Sequence, residues 1–197
     1  MSRLLLATNN PGKRREMTDL LHGLDLELFS PADLEINMHV EEDGHTYAQN
    51  AANKALAFAR RAGMLALADD SGLEVDALGG APGLYSARYS PQPGADDADR
   101  RSYLLAQLRQ HSRPWRAKFH CTVAIATPEG DLYFSEGDCP GEIIPEERGD
   151  GGFGYDPIFL IPETGLTMAE LSMAEKNNLS HRARAVKAAI PLLSELL

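Results

Sequence analysis

The sequence predicts an α/β fold built on a mixed sheet, and three observations lead there. Short apolar runs alternate with stretches of helical periodicity; the runs end in loops rich in Asn, Gly, Asp and Pro; and one pair of runs is close enough to form a hairpin. A hairpin is antiparallel, so the sheet is expected to be mixed rather than wholly parallel. With 197 residues, 43% hydrophobic and 24% charged, the chain can bury a core and reads as one domain over residues 1–197.

Leu4 to Ala7 is an apolar run that stops at Thr8-Asn9-Asn10-Pro11-Gly12, and Lys13 then opens a helical pattern through Met17, Leu20 and Leu21. Thr46 with Gln49 forms a capping box, so a helix starts there and runs Ala-rich to Arg61, with Gly63 as its stop. Ala48, Ala51, Ala52, Ala55 and Ala59 form its packing stripe, and Asn50 and Lys54 are neighbours on another face. Leu65 to Ala68 reads as a buried strand ending at Asp69-Asp70-Ser71-Gly72. Leu73, Val75 and Ala77 alternate with Glu74 and Asp76 as a further half-buried strand. After the loop Gly79-Gly80-Ala81-Pro82-Gly83 a helix is expected near Asp99 to Leu108. Phe119 to Ala126 and Leu132 to Ser135 flank Pro128-Glu129-Gly130-Asp131 as the hairpin. Ile158 to Ile161 is the next strand. The last helix starts at Ser180 as N-cap and turns Ala183, Val186, Ile190 and Leu193 inward.

Composition excludes several classes. No apolar run nears the roughly 20 residues that span a bilayer, and Leu4-Leu5-Leu6-Ala7 is too short for a signal-peptide core, so a cytoplasmic location and no membrane partner are expected. A net charge of −10 argues against a nucleic-acid-wrapping surface, though not against a small phosphorylated ligand. Cys121 and Cys139 lack metal-ligand spacing and are expected as reduced thiols.

Four segments carry chemistry. Thr8, Asn9, Asn10, Pro11, Gly12 and Lys13 sit between a strand and a helix, where backbone N–H groups and an ammonium can cradle phosphate. The segment lacks Walker A spacing, and an ordinary turn would use the same Asn and Gly. Glu41-Glu42-Asp43 and Asp69-Asp70 are acidic clusters of the type that holds Mg²⁺; acids before a capped helix also suit its dipole. Adjacent acids at the end of an apolar strand are costly unless paired or liganded. Gly151-Gly152-Phe153-Gly154-Tyr155-Asp156-Pro157 joins mobile backbone, aromatic faces for a purine and a carboxylate for a ring N–H, although core aromatics would look the same. Glu175-Lys176 and Ser180-His181-Arg182 form a donor-rich patch. Together these describe one ligand with phosphates, Mg²⁺ and a planar base.

The order of the segments LLLATNNPGKRRE, EEDGHTYAQNAANKA, ALADDSGLEVDALGGAPGLYSARYS, FHCTVAIA, GGFGYDPIF and MAELSMAEKNNLSHRARA resembles, from end to end, the Ham1-like family of inosine triphosphate pyrophosphatases, its bacterial branch above all. Asn9 stands where glycine is common, which alters loop flexibility. The resemblance implies an elongated mixed sheet flanked by helices in two lobes, related to Maf proteins, with an active-site cleft between them and a homodimer. It implies hydrolysis of ITP, dITP and XTP to monophosphate and pyrophosphate, with Mg²⁺ on Glu41 and Asp70. Thr8 to Lys13, Lys54 and Ser71 would contact substrate, and Phe153, Gly154, Tyr155, Asp156, Lys176, His181 and Arg182 would line the nucleotide and base pocket. Asp70, favoured by the resemblance, or Asp69 would take the proton from water attacking the α-phosphorus, with Lys13 and Lys54 offsetting phosphate charge. His181 and Arg182 would donate to the 6-keto oxygen of hypoxanthine or xanthine and oppose the 6-amino group of adenine. The alternatives are a Maf-like pyrophosphatase for other nucleotides and a sensor that binds a triphosphate without cleaving it.

Overall fold

The computed structural model describes residues 2–197. It contains the expected α/β arrangement: a mixed seven-stranded sheet in the order β2-β1-β3-β4-β5-β6-β7. The strands are β1 (Ser2–Leu6), β2 (Leu26–Phe29), β3 (Ala66–Val75), β4 (Trp115–Ala126), β5 (Leu132–Ile143), β6 (Phe159–Ile161) and β7 (Leu166–Thr167). The helices are α1 (Pro11–Leu20), α2 (Tyr47–Ala62), α3 (Asp97–Leu108), α4 (Met173–Leu179) and α5 (His181–Leu196). Strand β1 runs parallel to β2 and β3, while β6 is antiparallel to β5 and β7. The β4–β5 hairpin closes where Thr127 N–H donates to Asp131 O at 3.0 Å.

The chain forms two compact units: the first holds residues up to Asp70, Cys121–Gly137 and His181–Leu197, the second Ser71–His120 and Asp138–Ser180. In the first, side-chain alternation feeds two cores. Leu4, Leu6, Leu67, Val123 and Ile125 meet Met17 of α1, Leu21 at its C-cap, and Val186, Ala189 and Leu193 of α5. The other face presents Leu5, Ala7, Ala66, Ala68, Ala124 and Ala126 to Ala51, Ala55, Phe58 and Ala59 of α2, so small residues on both sides let the helix lie close to the sheet. In the second unit Leu73, Val75, Trp115, Phe119, Ile143 and Phe159 pack with Leu104 and Leu108 of α3. The Phe119 and Phe159 rings lie 4.5 Å apart.

Several local expectations change. The acids Asp69 and Asp70 do not end a strand: β3 runs unbroken from Ala66 to Val75, because both carboxylates find partners inside the fold and no turn is needed to reach water. Ala77 falls beyond it in a 3₁₀ turn over Asp76–Leu78. Both hairpin strands are longer than expected. Thr46 caps α2 through Gln49 N–H at 3.1 Å, but Gln49 reaches back to His45 N–H at 2.7 Å instead of closing the box on Thr46. Helix α4 was not expected, although Ser172 and Glu175 form its capping box; Ser180 is its C-cap and directly precedes α5. Cys121 and Cys139 are buried free thiols, as expected.

Candidate active site

In the first unit, two strand–helix connections converge on Asp69 and Asp70. After β1 the chain turns through residues 7–10, and Asn10 caps α1 by accepting from Gly12 N–H at 2.9 Å and Lys13 N–H at 3.0 Å. Pro11 occupies the first turn, its preset φ suiting a helix start. The cap directs Lys13, whose ammonium lies 3.1 Å from Asp69 Oδ2. That oxygen also receives Arg182 Nε and Nη2, each at 3.0 Å. Arg182 Nη1 donates to Glu16, one turn along α1 from Lys13. Arg182 is 1% exposed and Asp69 2%. Burial pushes the Asp69 carboxyl up, but Lys13, Arg182 and Lys54 outweigh it and hold Asp69 well below the usual carboxylate range. Cys121 Sγ approaches the same oxygen at 3.8 Å, and burial keeps its thiol neutral.

Asp70 faces a different set. Its Oδ2 accepts from Asn50 Nδ2 at 2.9 Å, and its Oδ1 is 3.7 Å from Lys54 Nζ. Asn50 and Lys54 are one turn apart on α2, as their spacing predicts. Here burial dominates over Lys54, Lys13 and the Asn50 bond, so the Asp70 carboxyl is raised and its carboxylate is the more basic of the two. The amide oxygen of Asn50, Oδ1, accepts from Gly44 N–H at 2.8 Å, tying the acidic loop to α2. A Cβ at position 44 would lie 2.6 Å from that oxygen, so only glycine allows the approach. From this loop Glu42 reaches Lys54 Nζ at 2.5 Å, whereas Glu41 is exposed. Glu42 and Asp70 thus present hard oxygen donors around one ammonium, the donor type that suits a hard divalent cation. Glu16 and Asn50 were not among the expected site residues, and Glu42 was expected only as a member of the acidic cluster. The signals available were the three-residue spacing of Lys13 and Glu16 and the four-residue spacing of Asn50 and Lys54.

In the second unit Asp156 accepts from Phe153 N–H at 2.9 Å and from Lys176 Nζ at 2.7 Å. The Lys176 ammonium sits 5.2 Å from the Phe153 ring centroid, a cation–π contact, and is itself buried. Tyr155 OH donates to Ser86 O at 2.9 Å, which leaves its ring in the core. The aromatic of the loop that remains for a ligand is therefore Phe153. Ser71 is half-buried, and His181 is buried at the start of α5.

A model of the Ham1 family matches residues 4–192 of the chain. The chain is 49% identical over 195 residues to the dITP/XTP pyrophosphatase of Desulforamulus reducens, spanning 98% of this chain and 96% of that protein. It is 48% identical to the protein of that name from Geobacter sulfurreducens, spanning 94% of each. Among solved structures it is similar to a HAM1 protein from Coxiella burnetii, with a TM-score of 0.88 at 38% identity, covering 99% of this chain and 100% of that one. The Staphylococcus aureus Ham1 protein gives 0.85 at 35% identity and covers 100% of both chains.

Proposed function

The chain belongs to the Ham1 family, and from that premise we propose that it hydrolyses ITP, dITP and XTP to the monophosphate and pyrophosphate. The observation that carries this reading is the contrast between adjacent carboxylates: Asp69 is neutralised by Lys13 and Arg182, while Asp70 stays basic beside Lys54. Asp70 takes the proton of the water that attacks the α-phosphorus. Asp69 does not compete for it, because protonating Asp69 would strand two cations. Lys13 and Lys54 offset the charge of the triphosphate, and pyrophosphate leaves in line with the attacking oxygen. Glu42 and Asp70, with Glu41 next in the chain, would hold a divalent cation, Mg²⁺ by donor type. When bound, that ion supplies further positive charge to the phosphate oxygens and acidifies water.

Phe153 stacks on the purine. Lys176 supplies an ammonium donor to a 6-keto oxygen, and an ammonium cannot accept from an adenine amino group. Arg182, with its guanidinium on Asp69 and Glu16, supports the acid rather than the base. The same reading makes the protein a cytoplasmic homodimer that clears these nucleotides before polymerases use them. Among the described residues no helix is long and apolar enough to cross a membrane.

The test is turnover of ITP, dITP, XTP, GTP, ATP and dTTP with Mg²⁺, resolving pyrophosphate from orthophosphate. Pyrophosphate with IMP, dIMP or XMP, and little from ATP, GTP or dTTP, is expected. Orthophosphate as the product, or tight binding without cleavage, would overturn the reading.

A further inference from the structure

Two side chains of α3 grip the backbone of one residue in the aromatic loop. Gly154 N–H donates to Asp97 Oδ2 at 2.8 Å, and Gly154 C=O accepts from Arg101 Nη1 at 2.8 Å. Asp97 and Arg101 are four residues apart and so share a helix face. Behind them Arg101 Nε and Nη2 each bond Glu147 at 2.9 Å, and Arg100 bonds the other Asp97 oxygen. Gly154 has φ +62°, a left-handed conformation that a side chain would strain. Phe153 immediately precedes it, with its ring against Lys176. The loop is thus held by Asp156 and Lys176 through one set of bonds and by α3 through another.

We propose that Asp97 and Arg101 are positioning residues for base recognition: by clamping both polar groups of the Gly154 peptide backbone they hold the Phe153 ring ready to stack on a purine. The inference rests on the reading above that this loop takes the base. A glycine-rich loop released from α3 samples many backbone conformations, and ordering it on binding costs affinity that the clamp removes in advance. Arg101 suits the task because its fork serves Glu147 and the Gly154 carbonyl at once, which a lysine cannot do.

The test compares a ligand that has a base with one that lacks it. Arg101→Ala raises KM and the calorimetric Kd for dITP about tenfold, with kcat within about twofold of the parent. Inhibition by inorganic tripolyphosphate, which has no base, stays unchanged. Arg101→Lys, which keeps the charge but not the fork, falls between the two. Unchanged dITP affinity would overturn the inference, as would equal weakening of dITP and tripolyphosphate, the mark of a general structural role. A protein that binds dITP but does not cleave it would sink the proposed activity alone, since the clamp would still be read from the binding comparison.

Discussion

In the first unit the groups assigned to phosphate chemistry are charged side chains buried against one another: Glu16, Arg182, Asp69 and Lys13 form one continuous ion network. In the second, the groups assigned to the base are a ring and an ammonium on a loop held by its backbone, through Asp97, Arg101 and Asp156. The first arrangement fixes charge. It sets one aspartate low and its neighbour high, and it depends on every partner being present, because a buried charge left alone is costly. The second fixes conformation, and losing one of several hydrogen bonds loosens it by degrees. Substitutions in the two regions should therefore differ in kind: loss of kcat and stability in the first, loss of affinity in the second.

The largest effect expected is from Asp70→Asn, which removes the proton acceptor and lowers kcat by about a thousandfold or more. Steady-state pyrophosphate release measures it, and near-normal turnover would remove Asp70 from its role. Arg182→Met should destabilise the fold by about 3–5 kcal/mol, because Glu16 and Asp69 lose their shared cation in a buried setting. Urea unfolding reads this, and a change under about 1 kcal/mol would mean that water already reaches these charges. Gly44→Ala should cost roughly tenfold or more in kcat at little cost in stability. The new Cβ displaces the Asn50 amide that orients Asp70, and unchanged kcat would show that the tie is not needed.

The smallest effect separates the clamp by pH. Burial pushes the Asp97 carboxyl up, but the bonds from Arg100 and Gly154 N–H outweigh it, so its folded pKa lies below the ordinary value. A depressed carboxylate stabilises the fold above its unfolded pKa of about 3.9, and that contribution is lost as pH falls through the folded value. The urea-midpoint gap between the parent and Asp97→Asn should hold steady from neutral pH to about pH 4 and close below it. A gap that widens on acidification would mean that Asp97 is not depressed.

Local signals in the sequence locate the elements around the site. The Asn10-Pro11 start of α1, the Thr46 cap and the Ala stripe of α2 each act within a few residues, so periodicity and capping reveal them. The continuity of β3 is not legible in this way. Its acids are compensated by Arg182, 113 positions from Asp69, and by Lys13 and Lys54 on separate helices. That Glu42 reaches Lys54 depends on how the loop is tied to Asn50, which spacing does not encode. Strands β2 and β7, of 4 and 2 residues, owe their identity to the neighbours they pair with rather than to any pattern of their own.

The most direct measurement is hydrolysis of dITP in heavy-oxygen water, followed by mass spectrometry of both products. Attack on the α-phosphorus with Asp70 as proton acceptor places the heavy oxygen in dIMP and leaves pyrophosphate unlabelled. Label in pyrophosphate would put the attack on the β-phosphorus and contradict the assignment of Asp70, Lys13 and Lys54 to the α–β bond.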